Sequence, residues 1–215
     1  MDWLLMGIIF TAFLLLGASR LTVCIRIVAL QGIMLSLLLL LAKGSLQEWH
    51  ILLMAIGTLV IKGIVIPTLL NRSIRELSIR QEVEPMISLH LSLLAGGSIA
   101  ILAFSSIQSL PPAQPPLTLI ATPTALFVFL IGFFLLISRS KAITQVIGFL
   151  VLENGVFLFG LNLVGDFPVI VEMGVLLDLL VGVFVMGIMI YHIHRTFDHI
   201  DTRALAADSK IGGKT

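Results

Sequence analysis

Three ionisable residues each lie near the middle of a long apolar run: Lys62, Glu153 and Asp178. Each run is long enough to cross the hydrocarbon core of a bilayer as an α-helix, which takes about 20 residues. A charge at the centre of such a helix costs about 2.5 to 3.5 kcal/mol, whereas a leucine returns only about 0.3 to 0.6 kcal/mol. Charges at this depth usually face a bundle interior or a water-filled path, so these three residues are functional candidates.

The composition argues against a soluble globular domain. Of the 215 residues, 58% are hydrophobic and only 12% are charged, whereas a typical soluble domain has about 25% charged residues. The apolar runs predict seven transmembrane helices, at residues 3–19, 27–43, 49–70, 86–107, 118–138, 142–164 and 168–192. The predicted fold class is therefore all-α, a polytopic membrane helix bundle.

The basic residues predict the orientation of the bundle. Eleven of the thirteen Lys and Arg residues fall on one side of the predicted membrane: Arg20, Arg26, Arg72, Arg75, Arg80, Arg139, Lys141, Arg195, Arg203, Lys210 and Lys214. Of the other two, Lys43 lies on the opposite side and Lys62 lies within the membrane. The positive-inside rule makes the basic side cytoplasmic. The N-terminus is then outside and the C-terminus is cytoplasmic.

A weak internal similarity divides the chain. Gln31 in the second predicted span corresponds to Glu153 in the sixth, and Lys62 in the third corresponds to Asp178 in the seventh. We therefore predict a degenerate three-helix unit at 1–71, a linker with the fourth span and a Pro-rich outer loop at 72–117, a second three-helix unit at 118–195, and a cytoplasmic tail at 196–215.

The three mid-membrane charges are predicted to lie at similar depth. At a rise of 1.5 Å per residue, Glu153 lies about 16 Å from the cytoplasmic end of its span, and Asp178 lies about 15 Å from the outer end of the next one. Lys62 is about 20 Å into the third span. Equal depth suits a lateral proton or ion relay, and it equally suits an ion pair that only holds helices together.

Two further residues are candidates for ion translocation. Glu172 lies about one turn inside the outer boundary, where its side chain can reach water by snorkelling. His90 lies a turn inside the cytoplasmic end of the fourth span, as an interfacial histidine or a proton entry point. Gln31 and Asn162 are predicted to form interhelical hydrogen bonds, and Asn154 to orient Glu153. No catalytic nucleophile, nucleotide-binding loop or metal-ligand spacing is present, so no catalytic, cofactor-binding or metal site is predicted.

The C-terminal third resembles a known family. The carrying segments are 148–157 (GFLVLENGVF), 166–168 (DFP), 172–182 (EMGVLLDLLVG) and 192–198 (HIHRTFD). They are similar to the component E membrane subunit of hydrogenase 4 and formate hydrogenlyase-type complexes. The last three spans of that family resemble the K-type subunit of respiratory complex I and the C subunit of multisubunit cation/proton antiporters.

The resemblance implies roles for two acids. In the K-type subunit, a Glu in the middle span and a Glu in the last span belong to the hydrophilic axis of proton translocation. Glu153 matches the first by its place in a Gly-x-x-x-x-Glu run, and Asp178 matches the second by the Gly four residues later. The second acid is Asp here, and the outer loop between the two spans is shorter.

The function implied is that of a non-catalytic membrane subunit of a complex-I-like respiratory hydrogenase, which contributes to proton or sodium translocation. Its expected partners are antiporter-like and quinone-site-like membrane subunits, peripheral nickel-iron hydrogenase and iron-sulfur subunits, and the lipid bilayer, with no nucleic acid. The expected location is a bacterial or archaeal cytoplasmic (inner) membrane. The alternatives are a subunit of a multisubunit cation/proton antiporter, a self-sufficient transporter, and a purely structural membrane scaffold.

Overall fold

The computed structural model describes residues 1–43, 49–76, 87–107 and 119–163. The regular elements within these ranges are all helical, which agrees with the predicted fold class. They are α1 (Asp2–Gly17), α2 (Leu21–Lys43), α3 (Trp49–Val60), a π-helical segment (Ile61–Val65), α4 (Ile66–Glu76), α5 (Leu89–Ile107), α6 (Ala121–Ser138) and α7 (Ala142–Leu163). The π-helical segment joins α3 to α4 without a break, so the three form one continuous rod.

Within the described ranges, five stretches are long and apolar enough to cross a bilayer: Leu21–Ala42, Leu52–Arg75, Leu89–Ser106, Ala121–Ser138 and Ile143–Asn162. The apolar helix α1 has 16 residues and extends about 24 Å, which is less than the roughly 30 Å of a hydrocarbon core. The bundle is that of a multi-pass membrane protein. The seventh predicted span, 168–192, lies outside the described residues, and the count of seven, the orientation and the division of the chain stay predictions.

Two helices extend beyond their predicted ends. Helix α2 begins at Leu21 rather than at residue 27, so that Arg26 lies on the helix. Helix α4 continues past residue 70 and carries Arg75 in its last turn. Hydropathy places the end of a span at its first charges, but arginine is a good helix former. The backbone therefore stays helical where the chain leaves the apolar layer.

Helices α6 and α7 pack against each other most extensively, as an antiparallel hairpin joined by residues 139–141. Gly132 on α6, and Gly148 and Gly155 on α7, each face the backbone of the other helix. A Cβ atom added at Gly148 would lie 2.7 Å from the backbone nitrogen of Leu136. Small residues of this kind let helix backbones approach closely in a membrane, where no hydrophobic force drives helices together.

Arg139 anchors the hairpin to α1. The sequence placed this residue in a cytoplasmic loop, but its side chain is only 3% exposed. Its Nη2 donates a hydrogen bond to the backbone oxygen of Leu16 at 3.3 Å, one of the last carbonyls of α1, which have no partner within the helix. Burial lowers the pKa of Arg139 from its ordinary value. The positive charge at the C-terminus of α1 also complements the helix dipole.

Helix α2 occupies the centre of the described bundle. It packs against α1, α3, the π-helical segment, α4 and α7. Helix α1 in turn contacts α5 and α6. The faces of α2, α7 and the π-helical segment therefore meet in the interior, and this meeting point holds the buried charges.

Candidate functional site

Lys62 lies in an irregular part of its helix. It is the second residue of the five-residue π-helical segment, in which the N–H of Ile66 bonds to the oxygen of Ile61 rather than to that of residue 62. Pro67 follows directly and has no N–H to offer to the carbonyls one turn back. A π-helical turn inserts an extra residue, and such turns are frequent at functional sites. Here it presents the Lys62 side chain to the interior, where it is 5% exposed.

The partner of Lys62 is Glu153 in the same chain. The Lys62 Nζ donates to Glu153 Oε1 at 2.9 Å and to Asn154 Oδ1 at 3.1 Å. Glu153 is 2% exposed. The ammonium and the carboxylate are in direct contact, as the prediction of similar depth for Lys62 and Glu153 allows; the depth itself stays a prediction.

The ion pair continues into a hydrogen-bonded chain. Asn154 Nδ2 donates to Gln31 Oε1 at 3.3 Å, and Gln31 Nε2 donates to the backbone oxygen of Ile8 at 3.5 Å. The predicted interhelical role of Gln31 is confirmed. Asn154 binds the Lys62 ammonium beside Glu153 and also links α7 to α2. We call Lys62, Glu153, Asn154 and Gln31 the Lys62 cluster.

Phe157 and Gly32 pack close to the Lys62 side chain. The Lys62 Nζ lies 5.7 Å from the centroid of the Phe157 ring, within the range of a cation–π interaction. Gly32 on α2 faces Lys62 so closely that an added Cβ would lie 2.6 Å from the Lys62 Cβ. Glycine at this position therefore permits the contact between α2 and the π-helical segment.

One carboxylate oxygen is left over. Glu153 Oε2 is buried and has no hydrogen-bond partner among the described residues. A buried unpaired polar atom usually costs about 1 to 3 kcal/mol, and more when it is charged. Chemically, the arrangement is a carboxylate with one oxygen bound to an ammonium and a second oxygen able to accept a proton.

Of the other predicted site residues, His90 alone lies in the described part of the chain. Asp178 and Glu172 lie outside the described residues. His90 is exposed on the first turn of α5, which packs against α1 and α6, so it is separate from the ion pair. Among the described residues, no three His, Cys, Asp or Glu side chains are grouped to hold a metal ion.

Asn162 also forms an interhelical hydrogen bond, as predicted. Asn162 Nδ2 donates to Thr122 Oγ1, which ties the end of α7 to the beginning of α6. This contact lies at the end of the hairpin opposite to Arg139. Its place away from the Lys62 cluster indicates a structural role.

Comparison with known proteins gives one full-length similarity. The chain is 30% identical over 196 residues to the uncharacterized protein Rv0085 of Mycobacterium tuberculosis, and the alignment covers 91% of this chain and 89% of that protein. No protein-family model and no solved structure matches the chain. The similarity extends through most of both proteins.

Proposed function

This chain belongs to the same family as Rv0085, and we propose that it is an integral membrane subunit whose buried ion pair takes part in proton or sodium translocation. We further propose that its complex is a complex-I-like respiratory hydrogenase of the hydrogenase 4 or formate hydrogenlyase type. The observation that carries the proposal is the contact of Lys62 with Glu153 inside an apolar helix bundle. Ionisable groups in such a position generally mark ion pathways and proton relays.

The cost of burying the Lys62–Glu153 pair favours a function for the pair beyond the stability of the bundle. Two mid-membrane charges together cost about 5 to 7 kcal/mol on insertion scales. Two unit charges 2.9 Å apart attract each other by about 6 kcal/mol at an effective dielectric constant of about 20. The two quantities nearly cancel, so the ion pair adds little net stability. Apolar residues of similar volume often serve stability as well or better.

The geometry suggests how the pair responds to a proton. A proton that binds Glu153 Oε2 neutralises the carboxylate and weakens its attraction for the Lys62 ammonium. The buried Lys62 ammonium then no longer faces the negative charge of Glu153, which favours either loss of its own proton or movement toward another acid. The resemblance to the K-type subunit suggests Asp178 as that acid. Protonation of Glu153 and the state of Lys62 are therefore linked.

The resemblance also supports the identity of the complex. Residues 148–198 are similar to component E of hydrogenase 4, in which a subunit of this kind lies beside antiporter-like and quinone-site-like subunits. In this proposal, electron transfer and hydrogen chemistry belong to the peripheral nickel-iron hydrogenase and iron-sulfur subunits. The present chain contributes the charged groups within the membrane.

The test is Glu153→Gln in the assembled complex. Hydrogen evolution and proton or sodium uptake are measured together in inverted membrane vesicles. We expect the complex to assemble, hydrogen evolution to continue at least in part, and ion uptake to be lost. Asp2→Asn is the control, because Asp2 is an exposed acid on the first turn of α1. Normal ion uptake in Glu153→Gln would contradict the proposal.

A structural scaffold is the second candidate, because the Lys62 cluster links α1, α2, α7 and the π-helical segment. The double variant Lys62→Met/Glu153→Leu separates the two functions, since it removes both members of the described ion pair. A scaffold retains full ion uptake in this variant, whereas a translocating pair loses it. A cation/proton antiporter subunit differs from both, because cation–proton exchange persists when the hydrogenase subunits are absent.

A further inference from the structure

A basic cleft lies between α2 and α4. Its volume is about 360 Å³, and its lining residues are Thr22, Arg26, Thr68, Asn71, Arg72 and Arg75. Three of these side chains are arginines, and none of the lining residues that the structure describes is acidic. The cleft is at the ends of the two spans that the positive-inside rule places on the cytoplasmic side. Its composition indicates a site for an anion.

The donors in the cleft suit a phosphate group. Arginine presents several N–H groups in a planar fork that matches the oxygens of a phosphate. Arg26 on α2 and Arg75 on α4 line the cleft from its two sides, and Asn71 on α4 also lines it. Thr68 Oγ1 donates to the backbone of its own helix, so its oxygen lines the cleft as an acceptor. The arginines therefore dominate the recognition.

Exposed apolar side chains run from the cleft toward the centre of the membrane. On α2, Leu30 and Ile33 follow Arg26 at helical spacing, and both are about two-fifths exposed, at 43% and 42%. On the facing rod, Val60 and Ile64 precede Thr68 at helical spacing and are 41% and 57% exposed. Residues spaced by three or four lie on one face of a helix. Each wall of the cleft is thus continued by an apolar stripe.

We propose that this cleft binds the headgroup of an anionic phospholipid, with the acyl chains lying along the two apolar stripes. Basic pockets between transmembrane helices on the cytoplasmic side recognise such headgroups. A free phosphate ion would use the arginines but not the stripes. The site is separate from the Lys62 cluster, and it does not depend on the proposed translocation.

The test is lipid binding to the full-length chain in a mild detergent, measured by native mass spectrometry. The probes are phosphatidylglycerol and phosphatidylcholine with identical acyl chains, and inorganic phosphate. We expect phosphatidylglycerol to bind at least about 25-fold more tightly than phosphatidylcholine, since Arg26 and Arg75 each contribute about a fivefold gain in affinity for an anionic headgroup. Inorganic phosphate at the lipid concentration should not displace the lipid.

Variants locate the site. Arg26→Gln should lower the affinity for phosphatidylglycerol about fivefold, and Arg26→Gln/Arg75→Gln about 25-fold, whereas Arg26→Lys should retain most of it. Arg20→Gln is the matched control, because Arg20 is exposed at the same end of α2 but does not line the cleft. Equal binding of the two lipids, or an equal loss in Arg20→Gln and Arg26→Gln, would overturn the proposal. Displacement by phosphate would replace it with a site for free anions.

Discussion

The Lys62–Glu153 pair makes a quantitative prediction about stability. Glu153→Gln keeps the volume and an acceptor oxygen for the Lys62 ammonium but removes the negative charge. Lys62 then remains buried, and its two described side-chain partners, at positions 153 and 154, are neutral acceptors. Lys62→Met produces the opposite imbalance, with an unpaired carboxylate. The double variant Lys62→Met/Glu153→Leu removes both charges.

The expected losses follow from the geometry. The attraction across 2.9 Å is about 6 kcal/mol at an effective dielectric constant of about 20. Removal of one partner from a buried ion pair typically costs about 3 to 5 kcal/mol. This is somewhat less than the full attraction, because the surroundings of the remaining charge relax. For a chain of this size, each kcal/mol lowers Tm by about 2 to 4 °C. Each single variant should therefore lose roughly 6 to 20 °C in Tm.

The assay is thermal unfolding of the purified chain in detergent, for the wild type and all three variants. We expect the double variant to lie within about 1 kcal/mol of the wild type or above it, because apolar replacement of both partners is often neutral or stabilising. The coupling energy between the two sites is then at least about 5 kcal/mol in magnitude. A Glu153→Gln variant as stable as the wild type would refute the reasoning. Additive losses in the double variant would refute it too.

Three smaller predictions concern the surroundings of the pair. Asn154→Leu should cost about 1 to 3 kcal/mol in the same unfolding assay, because the buried Gln31 Oε1 loses the hydrogen bond that Asn154 donates. Unchanged stability would contradict a role for Asn154 in the cluster. Gly155→Ala should cost about 1 to 3 kcal/mol by overpacking, whereas Gly97→Ala, with no atom within 4 Å of the added Cβ, should not destabilise. Arg139→Gln should speed hydrogen exchange at the end of α1, by loss of a charged hydrogen bond to Leu16; unchanged exchange would contradict this anchoring role.

Much of the fold could be predicted from the sequence, because the free energy of inserting a helix into a membrane is close to a sum of contributions from its individual residues. Long apolar runs predicted helices, and the described part of the chain consists of helices. The same free energies identified Lys62 and Glu153 as functional candidates, because a charged side chain is costly at the centre of a membrane. Gln31 was identified as an interhelical contact for the same cause, since a buried amide needs a partner.

The contact itself could not be predicted. Lys62 and Glu153 are 91 residues apart in the chain. The sequence predicted a similar depth for both residues, but it did not determine whether their side chains face each other. Their helices are apolar all round, so the hydrophobic pattern does not say which side faces inward. The π-helical segment adds a residue to one turn and so changes the direction of Lys62. Pro67 was the local signal of that irregularity, because it removes a backbone donor.

The position of these irregularities supports a role in translocation. Lys62 and Glu153 form a charge pair with little net gain in stability, and Glu153 Oε2 has no partner among the described residues. The π-helical segment, itself a departure from optimal helix hydrogen bonding, carries one member of that pair. Elsewhere in the described chain, the α6–α7 hairpin follows ordinary small-residue packing. Natural sequences depart from stable local choices mainly where function requires it. Apolar residues of similar volume often hold helices together as well as a buried ion pair does. Because the departures meet at one buried carboxylate, the proposed movement of protons or ions explains them better than helix packing alone.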